Sequence, residues 1–219
     1  METDTGIDAL AGVRQAMVRE QLRARGVGDE RVLAAMATVP RHRFVADEHR
    51  ESAYEDHPIP IGEGQTISQP YIVARMLEVL RLEPQDNVLE VGTGSGYLTA
   101  LLAELVASVY SIERIPVLAA RADALLRQLG YNNVKVVVGD GSQGLPGAAP
   151  FDSIVVSAAA PQLPDPLFAQ LRDGGRMIIP VGPAHVQELQ LVRKIDGQPL
   201  VTALEGCRFV PLIGEEGYR

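Results

Sequence analysis

The sequence predicts an α/β fold: a doubly wound, Rossmann-like sheet with a helical cap before it and a strand extension after it. Three observations carry that expectation. From Val88 onward, β-rich runs alternate with helix-compatible segments, the order that winds a parallel sheet through right-handed crossovers. The first run, Val88-Leu89-Glu90-Val91, enters Gly92-Thr93-Gly94-Ser95-Gly96 and then Tyr97–Leu105, a strand–turn–helix joint. Glu90, Glu113 and Asp140 each fall at the end of a strand run, the edge where open α/β sheets bind ligands.

The elements follow in order. Met1–Asp8 is acidic and polar, without the cationic start and apolar stretch of a signal peptide. Ala9–Arg25 reads as a helix carrying Val13, Met17 and Leu22 and stopping at Gly26. Asp29 is placed to cap a second helix, Glu30–Thr38, whose Val32, Leu33 and Met36 share a face, with Pro40 beyond its end. Arg41–Pro60 is mixed and polar, anchored by Phe44, Val45 and Tyr54. Ile59–Pro70 reads as a loop and Tyr71–Leu82 as a helix.

Ser108–Glu113, Val134–Val138, Phe151–Val156 and Arg176–Pro180 continue the strands. Pro116 opens the helix Pro116–Leu129 and Gly130 closes it. Pro164–Leu171 is a short helix ended by Gly174-Gly175. Glu188–Arg193 and Val201–Phe209 read as a closing pair of strands. The expected organisation is one domain over 1–219: helices and a substrate loop over 9–82, a cofactor core over 83–182 and an extension over 183–219.

Composition narrows the function. With 219 residues, 46% of them hydrophobic, the chain can bury a sizeable core. A net charge of −8 without a basic run argues against tight binding to a nucleic-acid backbone. Cys207 is the sole cysteine, so no internal disulfide or cysteine metal cluster can form, and it reads as a small apolar residue. His42, His49, His57 and His185 share no metal-ligand spacing, and no metal is assigned. No apolar run approaches the roughly 20 residues of a membrane span, so a cytoplasmic protein is expected.

The glycine spacing points to a cofactor. Dinucleotide turns take G-x-G-x-x-G, but Tyr97 stands where the third glycine would be. The spacing G-x-G-x-G is the form used for S-adenosylmethionine, whose product is S-adenosylhomocysteine. The charges agree, since Glu90 would repel a pyrophosphate and attract a sulfonium and an ammonium. Glu113 is placed to accept the two hydroxyls of a ribose. Asp140, in Gly139-Asp140-Gly141, is placed to face an adenine amino group.

Further blocks carry a resemblance: Gly64-Gln65-Thr66-Ile67-Ser68-Gln69-Pro70, Val88–Tyr97, Val109–Arg114, Gly139-Asp140-Gly141, Ala158-Ala159-Ala160-Pro161, Gly174-Gly175-Arg176 with Pro180-Val181-Gly182, and Phe209-Val210-Pro211-Leu212. In this order they resemble the protein-L-isoaspartate O-methyltransferase (protein-β-aspartate methyltransferase) family, from about Met17 to Leu212. The Thr66–Pro70 block is far more specific than the glycine turn, which many methyltransferases share. Met1–Asp8 and Gly214–Arg219 lie outside the recognisable part.

The resemblance implies methyl transfer from S-adenosylmethionine to the α-carboxylate of L-isoaspartyl residues in damaged proteins and peptides. The ester then closes to a succinimide, whose hydrolysis returns some normal aspartate. Ser68 matches the family's active-site serine, with Thr66 and Ile67 beside it. Gly92, Gly94, Gly96 and Ser95 are expected at the methionine part of the cofactor, Glu113 with Arg114 at the ribose, and Asp140 with Gly141 at the adenine. Ala159 is expected to leave room for a peptide main chain, and Val210 and Leu212 to wall the acceptor. Gly62 and Gly64 are placed to hinge a lid around Ser68.

Other readings are weaker. A methyltransferase of another carboxylate or of a small molecule would use the same scaffold. Base methylation would favour an Asn-Pro-Pro-aromatic motif, which Ser157-Ala158-Ala159-Ala160-Pro161 lacks. A cofactor-binding sensor would not need the Thr66–Pro70 block. Gly94-Ser95-Gly96 is no nucleophile elbow, because Thr93 and Tyr97 stand where that motif needs glycines. A monomer acting on neither nucleic acid nor membrane is expected.

Overall fold

The computed structural model describes residues 10–183 and 185–218. Helix α1, Ala11–Ala16, runs on into a π-helical turn, Met17–Leu22, and a 3-10 turn, Arg23–Arg25. Gly26 ends it with φ 92°. The expected start at Ala9 lies outside the described residues. The π turn explains the loose spacing, because its i→i+5 ladder brings Met17 and Leu22 onto one face, where both are buried. Val13, expected to join them, is instead 45% exposed on the preceding α-helical turn.

Helix α2, Glu30–Thr38, is capped as expected: Asp29 Oδ1 accepts the N–H groups of Arg31 at 2.9 Å and Val32 at 3.2 Å. Its Val32, Leu33 and Met36 are buried. Helices α3, Pro70–Leu80, and α4, Tyr97–Leu105, pack on it. Arg31 reaches across to donate to the carbonyl of Leu82, just beyond α3, and to that of Leu105, the last residue of α4. The cap is thereby fastened to the core by charge-assisted bonds as well as by apolar contact.

Between these helices, Phe44, Val45 and Tyr54 are buried, as expected. The segment expected to be a loop is instead an antiparallel hairpin, β1 (Ile59–Gly62) with β2 (Gln65–Ile67). Ile59 pairs with Ile67 and both side chains are buried, which stabilises the pairing. Gly62, Glu63 and Gly64 turn the chain at φ 88°, 53° and 70°.

The main sheet has seven strands: β3 (Asn87–Val91), β4 (Ser108–Glu113), β5 (Val134–Val138), β6 (Phe151–Val156), β7 (Leu171–Val181), β8 (Gln187–Ile195) and β9 (Gln198–Cys207). Their order is β5-β4-β3-β6-β7-β8-β9. β3 to β7 run parallel, and β8 and β9 return antiparallel, so the sheet is mixed. Helices α5 (Pro116–Gln128) and α6 (Asp165–Gln170) complete the crossovers. The Gly174-Gly175 pair does not close α6 but lies inside β7, where a Cβ on Gly175 would come within 2.9 Å of Asp152 O. Asp196 and Gly197, at φ 50° and 74°, make the turn between β8 and β9. Phe209 lies beyond β9 rather than within it.

β3 sits between β4 and β6, so the winding reverses at its carboxyl end. That switch point is where the glycine turn emerges. Along β3 the pleat sends Val88 into the core beneath the cap and Leu89 and Val91 into the core on the opposite face.

We expect Asp29→Ala to lose about 1 kcal/mol of stability, since it removes the acceptor of two N–H groups. Thermal unfolding should show the midpoint lowered by about 2–4 °C.

Candidate active site

The turn after β3 is fixed by backbone conformation and by one carboxylate. Gly92, Gly94 and Gly96 have φ 94°, 54° and 87°, conformations that side-chain-bearing residues rarely adopt. Gly92 N–H donates to Ile112 O at 2.8 Å. Glu113, at the end of β4, accepts Gly94 N–H on Oε2 and Ile115 N–H on Oε1, both at 2.9 Å. Gly92, Gly94 and Ser95 line a cavity with Glu113 and Arg114. Gly96 does not reach it. It starts α4 and packs on α5, where a Cβ would lie 3.2 Å from Ala122 Cβ.

Gly141 lines the same cavity, and a Cβ there would lie 2.5 Å from Val91 Cγ1. These residues fit the expected cofactor. The turn presents bare backbone, and Glu113 keeps lone pairs free for hydroxyls after its two backbone bonds. Its carboxylate also favours a cation over a pyrophosphate.

Two of the expected acids stand elsewhere. Glu90 shares the Val88 face of β3, so it points beneath α4 and is not among the cavity's lining residues. Its Oε2 accepts the hydroxyls of Thr99 and Ser111, each at 2.6 Å, while Oε1 makes no hydrogen bond among the described residues. Burial pushes its pKa up to about 8, against the two hydroxyl bonds and helped by the charge of Glu113. At neutral pH it is mostly protonated, so it does not supply the negative charge expected of it. Thr93 extends the network, its Oγ1 lying 2.5 Å from Ser111 Oγ.

Asp140 likewise lines no part of the cavity. Its Oδ1 accepts from Ser142 N and Oγ at 2.9 and 2.7 Å, and its Oδ2 from Glu215 N at 2.8 Å. Burial raises its pKa, but these bonds and nearby Arg114 outweigh that and hold it below the usual carboxylate range. The carboxylate expected at an adenine is thus engaged by the C-terminal segment.

A second cavity adjoins the first. Thr66, Ser68, Ser157, Val210 and Pro211 line both, so they stand where one opens into the other. Ile67 and Leu212 line only the cavity beside the glycine turn. Ala159 is fully buried and lines neither. Its backbone is a rung instead: its N–H donates to Val210 O at 2.8 Å and its O accepts Leu212 N–H at 2.7 Å. It holds up the Val210–Leu212 wall rather than making room for a ligand. Ser157 was not singled out from sequence. Its signal is its place directly after β6, beside the switch point, where its N–H donates to Val91 O at 2.8 Å.

A family model described as protein-L-isoaspartate(D-aspartate) O-methyltransferase matches residues 13–217. A protein-L-isoaspartate O-methyltransferase of Koribacter versatilis is 58% identical over 94% of this chain and 92% of its own. One of Methanoculleus marisnigri is 56% identical over 94% of each chain. Among solved structures, a protein-L-isoaspartate O-methyltransferase superposes with a TM-score of 0.85 at 30% identity, covering 93% of this chain and 67% of that one. A Plasmodium falciparum structure, described as a candidate β-aspartate methyltransferase in complex with S-adenosyl-L-homocysteine, gives 0.78 at 28% identity, covering 91% and 98%.

Glu90 sets a pH dependence of stability. Its folded pKa lies above its unfolded value of 4.5, so the folded state keeps a proton that the unfolded state releases. The contribution is complete below pH 4.5 and is lost as pH rises towards about 8. Glu90→Gln, which stays neutral, should match the parent at about pH 4 and be more stable by a few kcal/mol at about pH 8.5. Denaturant unfolding at the two pH values measures this, and parallel pH profiles would contradict it.

Proposed function

The chain belongs to the protein-L-isoaspartate(D-aspartate) O-methyltransferase family, and on that premise we propose how its residues share the work of the reaction. The enzyme is a repair methyltransferase that moves a methyl group from S-adenosylmethionine to the α-carboxylate of an L-isoaspartyl residue. When bound, S-adenosylmethionine supplies a methyl group already activated on a positively charged sulfur.

Glu113, flanked by Arg114, and the Gly92–Ser95 backbone hold the cofactor, with Gly141 at its adenine end. The acceptor enters from the second cavity, and Ser68 meets it at the opening. The observation that carries this reading is that Ser68 and Thr66 line both cavities. The nucleophile is a carboxylate ionised at neutral pH, so the site needs no general base. It must instead align an anion beside a pocket that contains Glu113. Ser68 Oγ makes no hydrogen bond among the described residues and is free to donate one to the acceptor carboxylate. A neutral hydroxyl orients the anion without quenching it as a lysine would. Alignment of this kind supplies the main rate gain. Val210 and Leu212, braced by the Ala159 rung, wall the acceptor side.

The acceptor is a damaged polypeptide rather than nucleic acid or lipid, in keeping with the net charge of −8. No helix of the described residues is long and apolar enough to cross a membrane. We take the working unit to be a cytoplasmic monomer, with residues 9–82, 83–182 and 183–219 acting as one domain.

Ser68→Ala should lower kcat on an isoaspartyl peptide by about tenfold to a hundredfold while the dissociation constant of S-adenosylmethionine changes little. Steady-state kinetics beside calorimetry measures both. An equal loss of cofactor affinity would assign Ser68 to the cofactor instead.

A further inference from the structure

Arg41 is fully buried, an unusual place for a guanidinium. It lies in the 3-10 turn Arg41–Phe44, in the N-terminal cap. Its Nε donates to Ala53 O at 2.7 Å and its Nη2 to Ser68 O at 2.8 Å. Its Nη1 makes no hydrogen bond among the described residues. Its Cζ lies 4.9 Å from the ring centroid of Tyr97, which lines the cofactor cavity.

This is a poor arrangement for stability alone. A buried charge costs desolvation energy, an unpaired donor adds to that cost, and apolar replacements of such groups are often neutral or stabilising. What the guanidinium does here is tie two backbone carbonyls together, and one belongs to Ser68. The other side of the loop is held in the same way. Asp56 accepts Tyr71 N–H at 3.0 Å on Oδ1 and the Gln69 side chain at 2.7 Å on Oδ2, and it pairs with Arg25. Residues 68, 69 and 71 are therefore gripped by the cap, immediately after β2 ends at Ile67.

We propose that Arg41 and Asp56 form a clamp that positions Ser68 for methyl transfer, and that this is a principal task of the N-terminal cap. Both are positioning residues, since they act through the loop and not on the acceptor. The clamp also bears on the lid expected from Gly62 and Gly64: movement about those hinges is confined to the hairpin tip, while Ser68 stays fixed. The proposal rests on the reading of Ser68 above.

The test is a double-mutant comparison on the full chain. Arg41→Lys keeps the charge but loses the planar fork that spans two carbonyls. Asp56→Asn removes the charge at a partly exposed site and serves if Arg41→Lys fails to fold. Each is measured alone and combined with Ser68→Ala for kcat on an isoaspartyl peptide, for the dissociation constant of S-adenosylmethionine and for melting temperature. We expect each clamp variant to lower kcat by about tenfold or more with cofactor affinity kept, and to add almost nothing once Ser68 is alanine. Losses that multiply with Ser68→Ala, or that fall on cofactor affinity equally, would overturn the clamp. So would full turnover in folded clamp variants while Ser68→Ala is impaired. Full turnover in Ser68→Ala itself would remove the reading of Ser68, and the clamp with it.

Discussion

The carboxylate of Glu113 ties together three parts of the chain: the end of β4, the glycine turn and the entrance to α5. It ends β4, receives an N–H from the glycine turn of β3 and receives another from Ile115 at the entrance to α5. The turn glycines all occupy left-handed conformations, which Gly reaches readily but which nothing in their own side chains enforces. The Gly94 bond to Glu113, with the Gly92 bond to Ile112, supplies that enforcement. The same residue lines the cavity, so the group that fixes the turn also faces the space where the proposed cofactor would sit. Of the three strand-end acids, Glu113 is the one that lines the cavity.

The acceptor side depends on the segments outside the parallel core. The cap contributes Arg41 and Asp56 to the Ser68 loop, and Arg31 fastens that cap to the ends of α3 and α4. The C-terminal segment contributes the opposite wall. Val210–Leu212 is held by Ala159 on one side, and Glu215 and Glu216 donate N–H groups to Asp140 and Ser142 on the other. In the proposed reading, cofactor and acceptor are placed by different parts of one chain and meet at Ser68.

Much of this was legible in the sequence, for physical reasons that also explain the failures. Ser108–Glu113, Val134–Val138 and Phe151–Val156 form strands over the expected residues, because each β-branched run is bounded by turn formers. The hairpin of β1 and β2 was missed because Pro60, Gly62 and Gly64 mask the pairing of Ile59 with Ile67. The Asp196-Gly197 turn, by contrast, was an available signal. At the site, Glu90, Glu113 and Asp140 look alike as acids at strand ends. The pleat of β3 turns Glu90 away, which alternation with Leu89 and Val91 foreshadows. The fate of Asp140 was hidden, since Glu215 reaches it across 75 positions of chain. Arg41 and Asp56 carried no motif, because they reach the Ser68 loop mainly through its backbone groups and only once the chain has folded.

The most direct test of the whole account is transfer of labelled methyl from S-adenosylmethionine to a peptide containing L-isoaspartate, beside the same peptide with normal L-aspartate. The account predicts base-labile label, the mark of a carboxyl ester, on the isoaspartyl peptide alone. Equal label on both peptides, or none on either while the cofactor still binds, would contradict it.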